Sequence, residues 1–150
     1  MKHSTCPDAV AWIRGGAAYP GIQGTVKFFQ RCDGVVVEAE VAGLPNTETG
    51  FFAFHIHEGG NCGGEGFANT AGHFNPGGKD HPNHAGDLPP LLADFGKAYM
   101  KVLTGRFHVE QIIGRTVILH SNPDDFHTQP SGNAGMKIAC GVIQRTGNRR

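Results

Sequence analysis

Seven side chains in this chain of 150 residues are suited to holding metal: His55, His57, His73, His81, His84, Asp87 and His120. They include six of the nine histidines. Neutral imidazole binds copper and zinc well, and three imidazoles with one carboxylate suit tetrahedral zinc. Seven such ligands match two ions that share one of them. The chemistry to expect is a redox metal beside a structural one.

The ligands need elements to hold them. Phe51 to His57, read FFAFHIH, alternates as a half-buried strand does, so His55 and His57 leave it on one face. Phe52, Phe54 and Ile56 then turn the other way into a core. From Glu58 to Pro90 the chain carries nine glycines and four prolines, and no regular element is expected there. A loop longer than about 15 residues is uncommon unless it is functional or disordered. The segment HFNPGGKDHPNHAGDL, which carries His73, His81, His84 and Asp87, therefore reads as a loop ordered by metal.

Strands are expected at Ala9 to Arg14, Gly24 to Cys32, Gly34 to Ala42, Phe51 to His57, Lys97 to Leu103, Thr116 to His120 and Ile138 to Gln144. Their alternation suggests an all-β antiparallel sandwich or flattened barrel. In Val35 to Val41, for example, Val37, Ala39 and Val41 face one way and Glu38 and Glu40 the other. Trp12 is expected to pack on the sandwich. No repeat or composition shift divides the chain, so residues 1–150 read as one domain. The 13 basic and 13 acidic residues balance, which argues against nucleic acid or an anionic membrane as partner. Without a transmembrane run or a secretory apolar stretch near the start, the expected location is cytoplasmic, or periplasmic or secreted if a leader has been removed. The closing GNRR is expected to be disordered.

Four cysteines can pair three ways, and sequence alone does not choose. The turn GAAYPG makes the first two strands a hairpin centred near residue 19, whose partners have numbers summing to about 38. Cys6 and Cys32 meet that condition and are candidates for a disulfide at the hairpin's open end, with free thiols as the alternative.

FHIHE, TAGHFNP, HAGDL, GRTVILH and GNAGMKIACGV together resemble, in order, the signature segments of the copper, zinc superoxide dismutases, from about Gly21 to Ile143. The resemblance implies a Greek-key β-sandwich, a flattened eight-stranded barrel with long metal-binding and electrostatic loops. It also implies copper on His55, His57, His73 and His120, and zinc on His73, His81, His84 and Asp87. His73 would bridge the two ions and store a proton on reduction, and Asp124 would link His55 to His81. Cys62 would pair with Cys140, closing a loop whose chain-entropy contribution is about 4 kcal/mol. The implied reaction turns superoxide into dioxygen and hydrogen peroxide by copper redox cycling. Members occur as monomers and dimers, so a homodimer is among the expectations.

Lys137 departs from the pattern, because it stands where the family usually has an arginine. The charge survives but the planar fork does not, so a working but slower enzyme is expected. Three further expectations are modest: Arg115 secures a loop, His3, His108 and His127 lack ligand spacing, and Glu58 makes a turn or backbone contact. Two competing readings remain: a dismutase-like protein that buffers or delivers copper and zinc with little turnover, and an adhesion-type sandwich, which would leave the seven ligands unexplained.

Overall fold

A computed structural model of the chain describes residues 5–147; His3 and the last three residues of the tail lie outside it. Alternation sets the strands. In β1 (Ala9–Gly15), Ala9, Ala11 and Ile13 are buried. Trp12 lies on the opposite face and is 60% exposed, so it faces solvent rather than packing as expected. β2 (Gln23–Arg31) and β3 (Gly34–Ala42) continue the sheet, with Val35, Val37, Ala39 and Val41 inside. β4 (Phe51–His57), β6 (Lys97–Thr104), β7 (Thr116–His120) and β8 (Lys137–Arg145) fall within one residue of their expected bounds.

β5 (Asp87–Asp94) was not expected, because DLPPLLAD carries two prolines and proline cannot donate to a ladder. The register explains how the strand admits them. Leu88 pairs with Phe54 and Leu91 with Phe52, so Pro89 and Pro90 sit in a bulge between paired residues. A short 3-10 helix, Glu65–Thr70, also lies in the stretch expected to lack regular structure, and α1 (Val109–Ile112) precedes β7.

The eight strands close into an antiparallel barrel in the order β1-β2-β3-β6-β5-β4-β7-β8, with β8 pairing back onto β1. The chain passes from β3 over β6 and β5 to reach β4, and from β6 over β5 and β4 to reach β7, which is Greek-key connectivity. Phe28, Phe52, Phe54, Ile56, Leu91, Val117, Leu119 and Ile143 fill the interior. β7 is buried throughout and β4 from Phe52 onward, because the loops cover the outer face of both strands. No helix among the described residues is long and apolar enough to cross a membrane.

The first hairpin pairs Ala9 with Phe28 and Arg14 with Gln23, so its partners sum to 37 rather than 38. That register would set residue 6 opposite residue 31. Cys32 would then point to the opposite face from such a partner. The two exposed cysteines are accordingly not joined to each other, and the structure's disulfide is Cys62–Cys140.

Candidate metal centre

β4 delivers His55 and His57 to its outer face, and β7, its neighbour, ends in His120 on the same side. A register shift between Leu119 and His120 sets the last ligand at the strand end. The long loop is then laid against the end of β4. His57 and His73 form an antiparallel bridge, Ile56 N–H donates to Gly86 O at 2.8 Å, and Phe74 N–H donates to Ile56 O at 2.8 Å. Gly86 permits this approach, since a Cβ there would lie 2.3 Å from Ile56 O. The Cys62–Cys140 bridge, with Cα atoms 5.9 Å apart, ties the same loop to β8.

Asp124, buried in the loop after β7, orders the protons of the cluster. Burial pushes its carboxyl up, but hydrogen bonds from His55, His81 and the Phe126 N–H outweigh that and hold it well below the usual carboxylate range. An ionised carboxylate only accepts, so His55 Nε2 (2.8 Å) and His81 Nε2 (2.8 Å) both donate to it. Each ring then presents a lone pair at Nδ1. His57 Nδ1 donates to Ala71 O at 2.9 Å, which leaves its lone pair at Nε2. His55 Nδ1 and His57 Nε2 each lie 3.2 Å from His120 Nε2, and a single proton there could satisfy only one of them. Burial pulls His57 down to about 3 and His120 to about 2, so both rings are neutral at ordinary pH. Converging neutral imidazole lone pairs are a cation site.

His73 completes this set, and the ligand atoms of His55, His57, His73 and His120 all lie within 4.8 Å of one another. Its Nε2 is buried with no hydrogen-bond partner among the described residues. Its Nδ1 faces the second cluster, 2.8 Å from Asp87 Oδ1 and 3.1 Å from His84 Nδ1. His81 Nδ1 and His84 Nδ1 lie 3.0 and 3.3 Å from Asp87 Oδ2. A lone pair of His81 thus faces a carboxylate oxygen, an arrangement that a cation between them resolves. Burial raises the Asp87 carboxyl, but the His73 hydrogen bond and the charges of His73, His81 and His55 bring it below its ordinary value. His73, His81 and Asp87 converge within 4.8 Å together with His55 of the adjoining cluster, whereas His84 joins through its contacts to His73 and Asp87.

The donor chemistry decides what fits: four imidazoles on one side, three imidazoles and a carboxylate on the other, one ring between them. Residues 22–143 match the family model described as copper/zinc superoxide dismutase (SODC). The chain belongs to the copper/zinc superoxide dismutase family. It is 38% identical over 137 residues to superoxide dismutase [Cu-Zn] 2 of Aquifex aeolicus, covering 81% of this chain and 78% of that one. The Deinococcus radiodurans superoxide dismutase [Cu-Zn] is 33% identical over 144 residues, covering 82% and 78%. Among solved structures, a SOD-like protein from Bacillus subtilis matches with a TM-score of 0.75 at 27% identity, covering 89% of this chain and 96% of that one. The Cu/Zn superoxide dismutase from Brucella abortus gives 0.75 at 26%, covering 91% and 99%. Copper and zinc are the ions the two donor sets of this family member suit.

Two residues that hold the dismutase site, Gln129 and Arg106, carry no signal in the sequence. Gln129 brackets the backbone of His81, accepting from its N–H at 2.8 Å and donating to its O at 2.7 Å. Arg106 donates from Nη1 to Pro82 O at 2.6 Å and His84 O at 3.2 Å. Arg115 secures a loop as expected, donating to Gln111 O and Glu58 O while its guanidinium lies 4.3 Å from the centre of the Phe74 ring. Gln129→Ala is expected to speed zinc release about tenfold, the lower range for loss of a group that orients a ligand. Release into a chromogenic chelator measures this, and an unchanged rate would mean that the other contacts suffice to hold His81.

Proposed function

We propose that the 150 residues act as one superoxide dismutase unit, with copper held by His55, His57, His73 and His120 and zinc by His73, His81, His84 and Asp87. The observation that carries this is the single His73 ring, with one nitrogen toward each donor set. Bound copper supplies one-electron chemistry, taking an electron from one superoxide and passing it to a second, which with two protons becomes hydrogen peroxide.

The chain's own groups do the rest. His73 Nε2 would take up a proton when it is not serving as a ligand, while Nδ1, turned toward the Asp87 and His84 donors, would keep the ring anchored on the zinc side for returning it. Asp124 fixes the tautomers of His55 and His81 together, so a change on one side is felt at the other. Lys137 places a cation beside the copper set to draw in the anionic substrate; its charge already weighs against protonation of His57. The Cys62–Cys140 bridge favours an oxidising compartment over the cytoplasm expected from the sequence, and cell fractionation distinguishes the two. Self-association as a homodimer is open to test by light scattering.

Superoxide dismutation by protein reconstituted with known copper and zinc content tests the reading. Turnover that scales with copper occupancy is expected. Full occupancy without turnover would instead make this a protein that holds or delivers metal.

A further inference from the structure

We propose that Thr70 is a positioning residue for the anion-drawing cation: its hydroxyl anchors the Lys137 ammonium beside the copper side of the site. The inference rests on the role given to Lys137 above. Lysine in place of the family's arginine suggested a mobile point charge. The contacts describe a held one. Lys137 Nζ donates to Thr70 Oγ1 at 2.8 Å and to Ala71 O at 2.9 Å. An ammonium has three N–H groups, so one donor remains for an incoming anion.

Thr70 is itself immobilised. It is fully buried, its hydroxyl donates to Phe67 O at 2.8 Å, and its carbonyl accepts from Gly59 N–H at 2.9 Å. With the hydroxyl proton committed to Phe67, the oxygen's lone pairs are left for Lys137. Ala71 O accepts both from Lys137 and from His57 Nδ1, so one carbonyl separates the ammonium from a candidate copper ligand. Lys137 also sits opposite His120 in the β7–β8 register. Loop, strand and hydroxyl together give the flexible lysine stem a fixed end, which is the property that a guanidinium fork would otherwise provide.

Azide, a small stable anion, is the probe. Copper- and zinc-loaded wild type, Thr70→Val, Thr70→Ser and Lys137→Ala would be titrated and followed by the azide-to-copper charge-transfer band, with metal content measured for each. Valine keeps the shape and removes the lone pairs; serine keeps the hydroxyl. Thr70→Val is expected to weaken azide binding roughly fivefold, less than the full loss of a charge-assisted hydrogen bond because Lys137 keeps its contact to Ala71 O, and Thr70→Ser to restore it to within about twofold. The copper EPR spectrum without azide should match wild type in each variant. Unchanged affinity in Thr70→Val alongside weakened binding in Lys137→Ala would overturn the role of Thr70 alone. Unchanged affinity in Lys137→Ala would overturn the reading of Lys137 as well. An altered azide-free spectrum in Thr70→Val would also overturn the proposal, since Thr70 would then act through the copper ligands.

Discussion

His73→Ala is expected to abolish dismutation and to lower zinc affinity by more than about 100-fold, beyond the 10–100-fold usual for losing a group outside the ligand set. Both effects follow from one ring. Its Nε2 is the buried nitrogen facing the copper donors, and its Nδ1 lies within 3.1 Å of both Asp87 and His84. Alanine removes a donor from each set. It also removes the group that keeps Asp87 Oδ1 oriented. Zinc at a thousand times its dissociation constant stabilises a folded protein by about 4 kcal/mol, or roughly 10 °C for a chain of this size. Calorimetry should show most of that increment lost in the variant. The metal-free melting temperature should change little, because His73 lies outside the apolar cluster that fills the barrel. Wild-type stoichiometry of both metals after dialysis against a chelator would defeat this expectation.

The second large effect is expected at Asp124. Two histidine N–H groups donate to its two oxygens, each at 2.8 Å. Asp124→Asn keeps the shape but offers one oxygen and one NH2, so one histidine meets a donor with a donor. That ring must move its proton to Nδ1, the nitrogen needed for metal. Zinc affinity should fall about 10–100-fold, with Asp124→Ala at least as severe. Zinc would be held by His81 as one of four donors, so loss of the lone pair at His81 Nδ1 would be felt there. There is no room for a longer carboxylate to compensate: a Cβ on Gly132, at φ 71°, would lie 2.1 Å from Asp124 Oδ1 and 2.6 Å from His81 Nε2. Competition with a chelator of known affinity gives the measurement, and an affinity equal to wild type would show that the tautomers are set by other means.

The sequence was most readable where chemistry and periodicity coincide. His55 and His57 at alternate positions of an apolar strand announce both the strand and its metal-facing side. The hidden strand, β5, is obscured by Pro89 and Pro90, whose lost donors matter less in a bulge than in a regular ladder. The Cys6–Cys32 expectation missed by one residue in register, and in a strand one residue reverses the face. Gln129, Arg106 and Thr70 were invisible for another reason. Each acts through contacts formed only once distant loops have folded over β4, and their residue types alone announce no such partner.

Barrel closure has a consequence for how copies of this chain behave toward one another. Among the described residues every strand is paired on both sides, so the barrel offers no open edge onto which a neighbour could add a strand. The seam is uneven: β5 meets β6 through only Ala93↔Ala98 and Asp94↔Lys97, whereas β2 and β3 share nine pairs. β5 begins at Asp87, a zinc ligand in the proposed site, so the ion would pin one end of the strand that borders the weakest join. Losing zinc would therefore loosen the barrel where self-association could begin. Pro89 and Pro90 lack N–H groups, so β5 is a poorer template for an added strand than its length suggests.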